Sequence, residues 1–577
     1  MSLQVWLPLN GNLKNQGLDS DLGFIDTASA TVSTDGKIGS CYSFSDTSGN
    51  GLLLYSGKSP SEFMNAYINH HSWSLCAWVR TTSDSTVVFG LTGGINLWCG
   101  VTNCVSLSSN ERTVSAYNNA SVADGKWHHI CATYNTVDNA VNVYVDGVKG
   151  ATEYYPAGET YASPWRGAVA IGKNADDSIA SPYYYFQGSM NDARIYDHCL
   201  SAKEVKEISK GLVCHYKLDN NGFGNPNLIT TMTPGGITTL NGKYGLNADF
   251  AQDTDTYGFF NVSPALELDS TYTLSFDVSN FPAGSAWNFL LWNNANYNIG
   301  TITKDGHYAY TFVPSESKLP SGYSLTKFLF DDGNCTNPAG TVYFTNFKIE
   351  KGPVATPWCP HTSDSLYASL GLDSATELDC SGYGYNGTKV GGLSSSTDSV
   401  SIRYESCYDF DGNTGSIQIP DLSTLVPCGE FTMNCWIYHD DTWSSKDWET
   451  IFGGPSGFEL DAKNGSINSP VLYSYWGGSA TYELNKWNMI TMTRNASETK
   501  FYINGELKIT GSAGTISSGD YFIGAWRTSS QQNYKGKISD FRLYSTVLSV
   551  EDIKELYNTS ASVDKNGNMY AYEFKEE

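Results

Sequence analysis

The feature that most constrains this chain is a stretch that occurs twice. FQGSMNDARIYDHCLSAKEVKEIS runs from Phe186 to Ser209, and YKGKISDFRLYSTVLSVEDIKELY from Tyr534 to Tyr557. Each reads as a strand with alternating apolar and polar residues (Ile538, Phe541 and Leu543 against Asp540, Arg542 and Tyr544). A short helix follows, opened by a cap pair, Ser201 with Glu204 and Ser549 with Asp552. Two such endings imply two copies of one domain.

A true duplication keeps its landmarks in order, and this one does. Walking backwards, Val169–Gly172 matches Tyr521–Gly524, Val143–Gly147 matches Phe501–Gly505, and Lys126-Trp127 matches Lys486-Trp487. Further upstream, Trp73–Val79 pairs with Phe431–Ile437 and Cys41–Phe44 with Cys407–Phe410. Each landmark is a short β-type run bounded by Gly, Asn, Asp or Ser, and the one helix expected per copy stands at its end. The pattern predicts an all-β sandwich present twice. With 577 residues, three or four domains are expected; 56 Gly, 38 Tyr and 15 Trp suit many strands and tight turns.

Charge narrows the partners. A net charge of −24 repels a nucleic-acid backbone and an anionic membrane surface alike, so neutral ligands are expected and neither nucleic acid nor membrane insertion. No run approaches the ~18 apolar residues of a membrane span, and MSLQVWLPLNGNLK lacks the basic and apolar regions of a secretory signal. The chain is therefore expected to stay soluble or to leave the cell by another route. The 13 cysteines lie mostly within strand patterns (Cys76, Cys131, Cys435), where a thiol packs as a small apolar group; reduced thiols are expected, and no zinc spacing occurs.

The ordered set of a G-x-x-x-x-Y-x-F strand, a W-x-x-x-x-W-V-like strand, K-W-H-H, a V-Y-V-D-G hairpin and a final D-x-R-I-Y strand before a short helix resembles the laminin-G/concanavalin-A-like lectin superfamily over both repeats. The resemblance implies two concanavalin-A-like (LamG-type) β-sandwich jelly rolls. Leu212–Leu218 looks like Leu3–Leu9 and reads either as the first strand of the second copy or as linker, yet the next matching piece begins only at Ser365. Between them, the opening N-P-N-L-I and the closing F-K-I-E-K-G-x-x-x-T-P-W resemble the ends of carbohydrate-binding jelly-roll modules in phage tail proteins. Strands are expected there at Tyr272–Val278, Trp287–Trp292, Tyr308–Val313, Leu325–Phe330 and Val342–Glu350. The expected division is residues 1–210 for the first sandwich, 211–221 with 361–559 for the second, 222–360 for an inserted third jelly roll, and a tail at 560–577 that contacts another chain or frays.

The superfamily's β-glucanases carry two carboxylates as E-x-D-x-E on one strand, flanking a glycosidic bond. Here only Glu459-Leu460-Asp461 approaches this, followed by Lys463 and Asn464, and GINLWCG (94–100) has no acid, so no hydrolase is expected. Adjacent strand residues point to opposite faces, so His128-His129 reads as one solvated and one packed histidine. The resemblance implies that Asp192 and Asp540, with turn residues Asp46 and Asp411, hold a structural calcium; the alternative for the first two is an ion pair with Arg194 and Arg542.

Sugars stack their C–H faces on aromatic rings while their hydroxyls find polar groups. The candidate ligand-binding residues are Trp287, Trp292, Tyr297, Trp443, Trp448, Trp526 and Tyr184. The expected function is a carbohydrate-binding adhesin, a phage tail or receptor-binding virion component meeting glycans and other tail proteins, possible as a homo-oligomer. The alternatives are an accessory region of a bacterial surface adhesin or polysaccharide-degrading enzyme, and a structural virion protein that binds no glycan.

Overall fold

The computed structural model describes residues 3–573 except 20, 27–29, 46–50, 70, 84–85, 92–94, 102–103, 110–111, 155–168, 175–184, 219–227, 235–236, 241–242, 247–256, 282–285, 292–297, 316–324, 332–341, 352–375, 378, 392, 397–406, 440–447, 465–469, 530 and 564–568. Two β-sandwiches of one plan and a smaller third sandwich account for nearly all of it.

In the first sandwich one sheet runs Val148–Lys149, Ala140–Val145, Trp127–Asn135, Trp73–Arg80, Gly188–Tyr196, Cys41–Phe44 and Thr31–Ser33. Leu3–Leu7 also pairs with Gly188–Tyr196, and Glu153–Tyr154 with Ala140–Val145. The facing sheet runs Arg112–Asn118, Cys104–Ser109, Ile95–Val101, Thr86–Leu91, Val169–Ile171, Leu52–Ser56 and Gly23–Asp26. Between them lies a core of alternate side chains, including Val5, Leu7, Leu75, Ala77, Phe89, Leu97, Ile130 and Ile195. Every second residue of a strand faces inward, which is why a period of two in the sequence suffices to build this layer.

The second sandwich repeats the plan. Leu393–Ser396, Cys407–Asp411, Lys535–Tyr544, Phe431–Tyr438, Trp487–Arg494, Glu498–Ile503 and Glu506–Ser512 form one sheet, and Leu212–Tyr216 pairs antiparallel with Lys535–Tyr544. The other runs Thr376–Glu377, Gly387–Val390, Ser416–Ile419, Tyr521–Ile523, Trp448–Gly453, Glu459–Asn464, Pro470–Ser474 and Gly478–Thr481. Between Leu212–Tyr216 and these later strands, Ile229–Lys351 supplies two five-stranded sheets around Leu274, Phe276, Phe344, Phe347 and Ile349. Its strands include Tyr272–Ser279, Trp287–Leu291, Gly306–Phe312, Lys327–Asp331 and Val342–Lys351, each within a few residues of its expected place.

Two features depart from the sequence reading. A helix at Pro60–Tyr67 adds to the closing one at Ala202–Ser209; Ser59 caps it and Glu62 completes a capping box, a signal present in the residues. A shorter helix, Leu422–Leu425, capped by Asp421, stands at the matching place of the second copy. Second, part of the tail is ordered as a hairpin: Thr559–Val563 pairs antiparallel with Met569–Glu573.

Each closing strand carries, at its first or second residue, a glycine that nothing else replaces. Gly188 has φ +141° and Gly536 φ +138°, and a Cβ there would lie 2.1 Å from the Arg80 carbonyl oxygen and 2.5 Å from that of Tyr438. The neighbouring strand's backbone occupies the space a side chain needs.

The two sandwiches meet closely. Trp6 and Tyr383 pack edge to face at 5.2 Å, the Gly39 N–H donates to the Leu425 carbonyl, and Lys206 pairs with Asp552 at 2.6 Å across the two terminal helices. At the junction the Ser545 N–H donates to Gly211 and the Thr546 hydroxyl to the Lys210 carbonyl.

Candidate functional site

The duplicated aspartates lie where neither repeat's strand is regular. Pairing slips between Asn191 and Arg194, and between Asn434 and Trp436 against the closing strand of the second copy. Asp192 and Asp540 occupy these bulges with φ of 58° and 53°, a left-handed conformation that aspartate tolerates better than most residues. Each turns its N–H to the carbonyl after the first strand of its sandwich, Pro8 for Asp192 and Lys217 for Asp540. The bulge also aims the carboxyl groups into the interior, both 1% exposed.

There the carboxylates meet donors. Asp192 accepts from Trp6 Nε1 at 2.6 Å and Arg194 Nε at 2.9 Å; Asp540 accepts from His215 Nε2 at 2.8 Å and from Arg542 Nε and Nη2 at 2.8 and 3.1 Å. Burial alone would raise the Asp540 pKa, but the Arg542 guanidinium and His215 hold it far below the usual carboxylate range. These are the arginine pairs that the strand spacing allowed. A calcium site needs several oxygens converging on open space. Here N–H donors and a guanidinium fill that space, and no three His, Cys, Asp or Glu side chains among the described residues converge to hold a metal. The residues as placed do not fit the ion. Asp46 lies outside the described residues; Asp411 is exposed and accepts the N–H groups of Asn413, Thr414 and Gly415, closing its own turn.

His128 and His129 divide as expected. His128 bonds Asp146 and Asp124, and His129 is fully buried.

Of the aromatic candidates, Trp292, Tyr297, Trp443 and Tyr184 lie outside the described residues. Trp287 begins the strand Trp287–Leu291, and nothing further is described of its side chain. Trp448 and Trp526 are placed, and both belong to one face of the second sandwich.

That face is the outer side of the sheet containing Trp448–Gly453, Glu459–Asn464 and Pro470–Ser474. Leu460, Ala462 and Leu472 point into the core. Their neighbours in sequence therefore point out, and the register sets them side by side: Trp448 opposite Lys463, Thr450 opposite Asp461, Asp461 opposite Tyr473. Trp448 and Tyr473 pack edge to face at 4.7 Å, with Lys463 Nζ 4.1 Å from the Trp448 ring centre. Next along the face, the Thr450 hydroxyl donates to Asp461 at 2.7 Å and lies 3.1 Å from Gln532 Oε1. At the far end the turn carrying Trp526 and Arg527 crosses over Gly453, where a Cβ would lie 2.9 Å from the Trp526 Cα. The Arg527 guanidinium stacks on the Trp526 ring at 4.0 Å.

Burial raises the Asp461 pKa to about 7; the Thr450 hydrogen bond opposes the rise and the charge of Glu459 adds to it. Glu459 is itself raised by burial, with Arg527 opposing. Near neutrality Asp461 thus exists both as a hydrogen-bond donor and as an acceptor. Together these groups make a strip with a half-buried aromatic end, a buried hydroxyl and carboxyl centre reached through Glu459, and a cationic rim, which suits a ligand having apolar C–H faces and many hydroxyls. Tyr473, Thr450 and Gln532 were not legible as site residues, because only strand register and a returning loop bring them beside Trp448. In the first sandwich the residues matching Glu459 and Asp461 are Asn96 and Trp98, so the carboxyl pair belongs to one copy.

Comparison with known proteins follows this geometry. A family model described as the concanavalin A-like lectin/glucanases superfamily matches residues 56–206 and 411–554, together just over half of the chain. Human neuronal pentraxin-2 is 29% identical over 153 residues, covering 24% of this chain and 34% of the pentraxin. Human pentraxin-related protein PTX3 is 24% identical over 180 residues, 29% of this chain and 45% of that protein. The chain thus spans a third to a half of the length of these relatives. Among solved structures, domain 4 of an extracellular arabinanase from Geobacillus stearothermophilus, in complex with arabinotriose, matches at 18% identity over 33% of this chain and 94% of that one, with a TM-score of 0.25. A heptameric SAP-like pentraxin from Limulus polyphemus matches at 15% identity over 25% and 73%, with a TM-score of 0.21.

Proposed function

The chain belongs to the concanavalin A-like lectin/glucanases superfamily, and from that premise we propose that it binds carbohydrate through the outer face of the second sandwich. The observation that carries this reading is the half-buried Trp448–Tyr473 pair standing beside the Thr450–Asp461–Gln532 cluster, whose threonine and aspartate are buried beneath the same face. A sugar ring stacks on the aromatic pair and its hydroxyls exchange hydrogen bonds with the half-buried Glu459, while the buried Asp461, held by Thr450, sets the charge beneath it.

Binding rather than hydrolysis is the reading favoured by the strand itself. Glycoside cleavage by the common two-carboxyl route requires an acid and a base or nucleophile on opposite sides of the scissile bond. Two residues beyond Asp461 stands Lys463, whose ammonium lies over Trp448.

We read the biological setting as a phage tail or receptor-binding component that recognises surface glycans. What supports this is the resemblance of the segment from Asn225 to Trp358 to the jelly-roll modules of phage tail proteins. Three sandwiches in one chain also allow weak sites to add by avidity.

The test is a glycan array on the purified full chain, followed by calorimetry on the best ligand. Trp448→Ala is expected to weaken binding about 10-fold or more, as loss of an aromatic platform does, and the polysaccharide should emerge unshortened. Unchanged affinity in Trp448→Ala, Tyr473→Ala and Asp461→Ala removes this face as the site, and no ligand on the array favours a purely structural role.

A further inference from the structure

Both tryptophans on the outer face of the second sandwich carry a cation on the ring. Lys463 Nζ lies over the Trp448 indole, 4.1 Å from its centre, and the Arg527 guanidinium lies over that of Trp526 at 4.0 Å. The covered side of each ring is closed to a sugar, because the cation must leave before a C–H surface can stack there.

Neither cation has an acid of its own. In a chain with 59 acidic against 35 basic residues, a base without a carboxylate partner is the exception. Elsewhere in the same sandwich Lys486, Lys500, Lys508 and Arg542 pair with Glu483, Glu498, Glu506 and Asp540 at 2.5–2.8 Å. Among the described residues no carboxylate pairs with Lys463 or Arg527. The charge of Arg527 reaches Glu459 only at longer range, opposing the rise that burial gives that carboxyl's pKa.

The turn that presents Arg527 is held against its own backbone preference. Arg527 and Gln532 have φ of 54° and 50°, left-handed values that a residue with a side chain adopts at a cost. The Trp526 N–H donates to the Gln531 carbonyl at 2.9 Å and the Gln531 N–H to that of Thr528 at 3.2 Å. From the strand beneath, the Thr450 N–H donates to the Gln532 carbonyl at 2.7 Å. Arg527 is thus fixed at the Glu459 end of the strip, with Lys463 at the other. The strand between Glu459 and Lys463 spans about 13 Å, so the two cations meet different sugars of one chain. The first sandwich has neither, since Gly100 and Ala175 match Lys463 and Arg527.

We propose that the ligand of this face is an acidic glycan, whose carboxylates draw Lys463 and Arg527 off the two indoles and so uncover the rings on which its sugars stack. The inference rests on the carbohydrate reading of the same face. A neutral sugar that displaces either cation forfeits a cation–π contact and gives the charge nothing in return. A carboxylate replaces that contact with a charge-assisted hydrogen bond, bidentate for Arg527. The two cations therefore determine specificity. The net charge of −24 favours neutral ligands at a distance, but it is spread over the whole surface and screened beyond ~8 Å at physiological ionic strength, whereas these groups act in contact. The carboxyl beneath opposes little, because burial raises the Asp461 pKa to about 7 and leaves its charge partial near neutrality.

The experiment is calorimetry of the full chain with trigalacturonate and with its methyl ester, which has the same sugars without the charge. Sialyllactose and lactose form a second pair, since a uronic acid within a chain and a sialic acid at its end offer the same carboxylate. The unmodified chain is expected to bind at least one acid about 10-fold or more tighter than its neutral partner, and the pair that responds identifies the source. In Lys463→Ala and in Arg527→Ala the acid should bind about 10-fold more weakly and the neutral partner about 2–5-fold more tightly, because the ring is uncovered. A merely structural role of either residue does not move the two affinities in opposite directions. Melting curves check each variant, and Lys463→Gln or Arg527→Gln replaces one that melts early. Equal affinity for acid and neutral partner, or variants that shift both in the same direction, overturns the proposal. Where neither acid binds but a neutral glycan from the array binds through Trp448, the acidic ligand alone is refuted; where no glycan binds at all, the carbohydrate reading falls with it.

Discussion

Substituting His129 by methionine tests how the first sandwich responds to acid. His129 is fully buried, edge-on to Trp78 at 5.3 Å, and neither ring nitrogen has a hydrogen-bond partner. Burial lowers its pKa from 6.5 to about 4, with the charges of Asp192 and Asp146 opposing the shift. Because the folded value is the lower one, the unfolded chain takes up a proton first, and stability is lost as pH falls from about 6.5 towards 4. Between pH 7.5 and 4.5 that linkage amounts to about 2.5 kcal/mol, from a shift of about 2.5 units at 1.36 kcal/mol each, less the partial protonation still outstanding at pH 4.5. Met489 is the buried counterpart beside Trp436 in the second sandwich, so the site accepts a methionine sterically. Melting curves of the full chain at the two pH values are expected to show that His129→Met recovers about 5–10 °C of the acid-induced fall in the first sandwich's transition, without loss at pH 7.5. The second sandwich supplies an internal control. Burial, helped by Arg542, also lowers the His215 pKa to about 4, so that transition stays acid-sensitive in the variant. An acid-induced fall of equal size with and without His129 refutes the reasoning.

Three further outcomes are expected. Asp540→Ala leaves Arg542 and His215 buried without their carboxylate, and urea titration should show a loss of about 3–5 kcal/mol; a chelator should leave the melting temperature of the unmodified chain unchanged, whereas a chelator-induced fall that Asp540→Ala abolishes restores a calcium role. Residues 361–577 expressed alone lack the strand Leu212–Tyr216 and expose the edge of Lys535–Tyr544 that it covers, so they should aggregate where residues 211–577 fold; equal melting of the two fragments would show the strand to be dispensable. Glycan affinity should change through pH 7, where Asp461 titrates, and lose that change in Asp461→Asn; an identical pH profile in the variant would show that this buried carboxyl does not act on the site.

Local pattern by itself determined that this is a repeated all-β chain. Period-two runs, turn residues and a capped closing helix depend on neighbours a few positions apart, so they survive reading without a structure. The helix Pro60–Tyr67 was legible in the same way, through Ser59 and Glu62, and shows that capping signals matter even inside a β pattern. Tertiary structure decided what the shared motifs do. A regular strand puts Asp540 and Arg542 on one face; the bulge at Asp540, with its N–H turned to Lys217, adds His215 from 325 positions away to the same buried cluster. Likewise the sequence marked Trp448 as one aromatic among many. Cross-strand register placed Tyr473 and Asp461 beside it, and the loop through Gln532 closed the cluster. Such partners follow from sheet pairing and loop return, whose free energies are settled by the whole packed core rather than by any segment, and so only the folded chain reveals them.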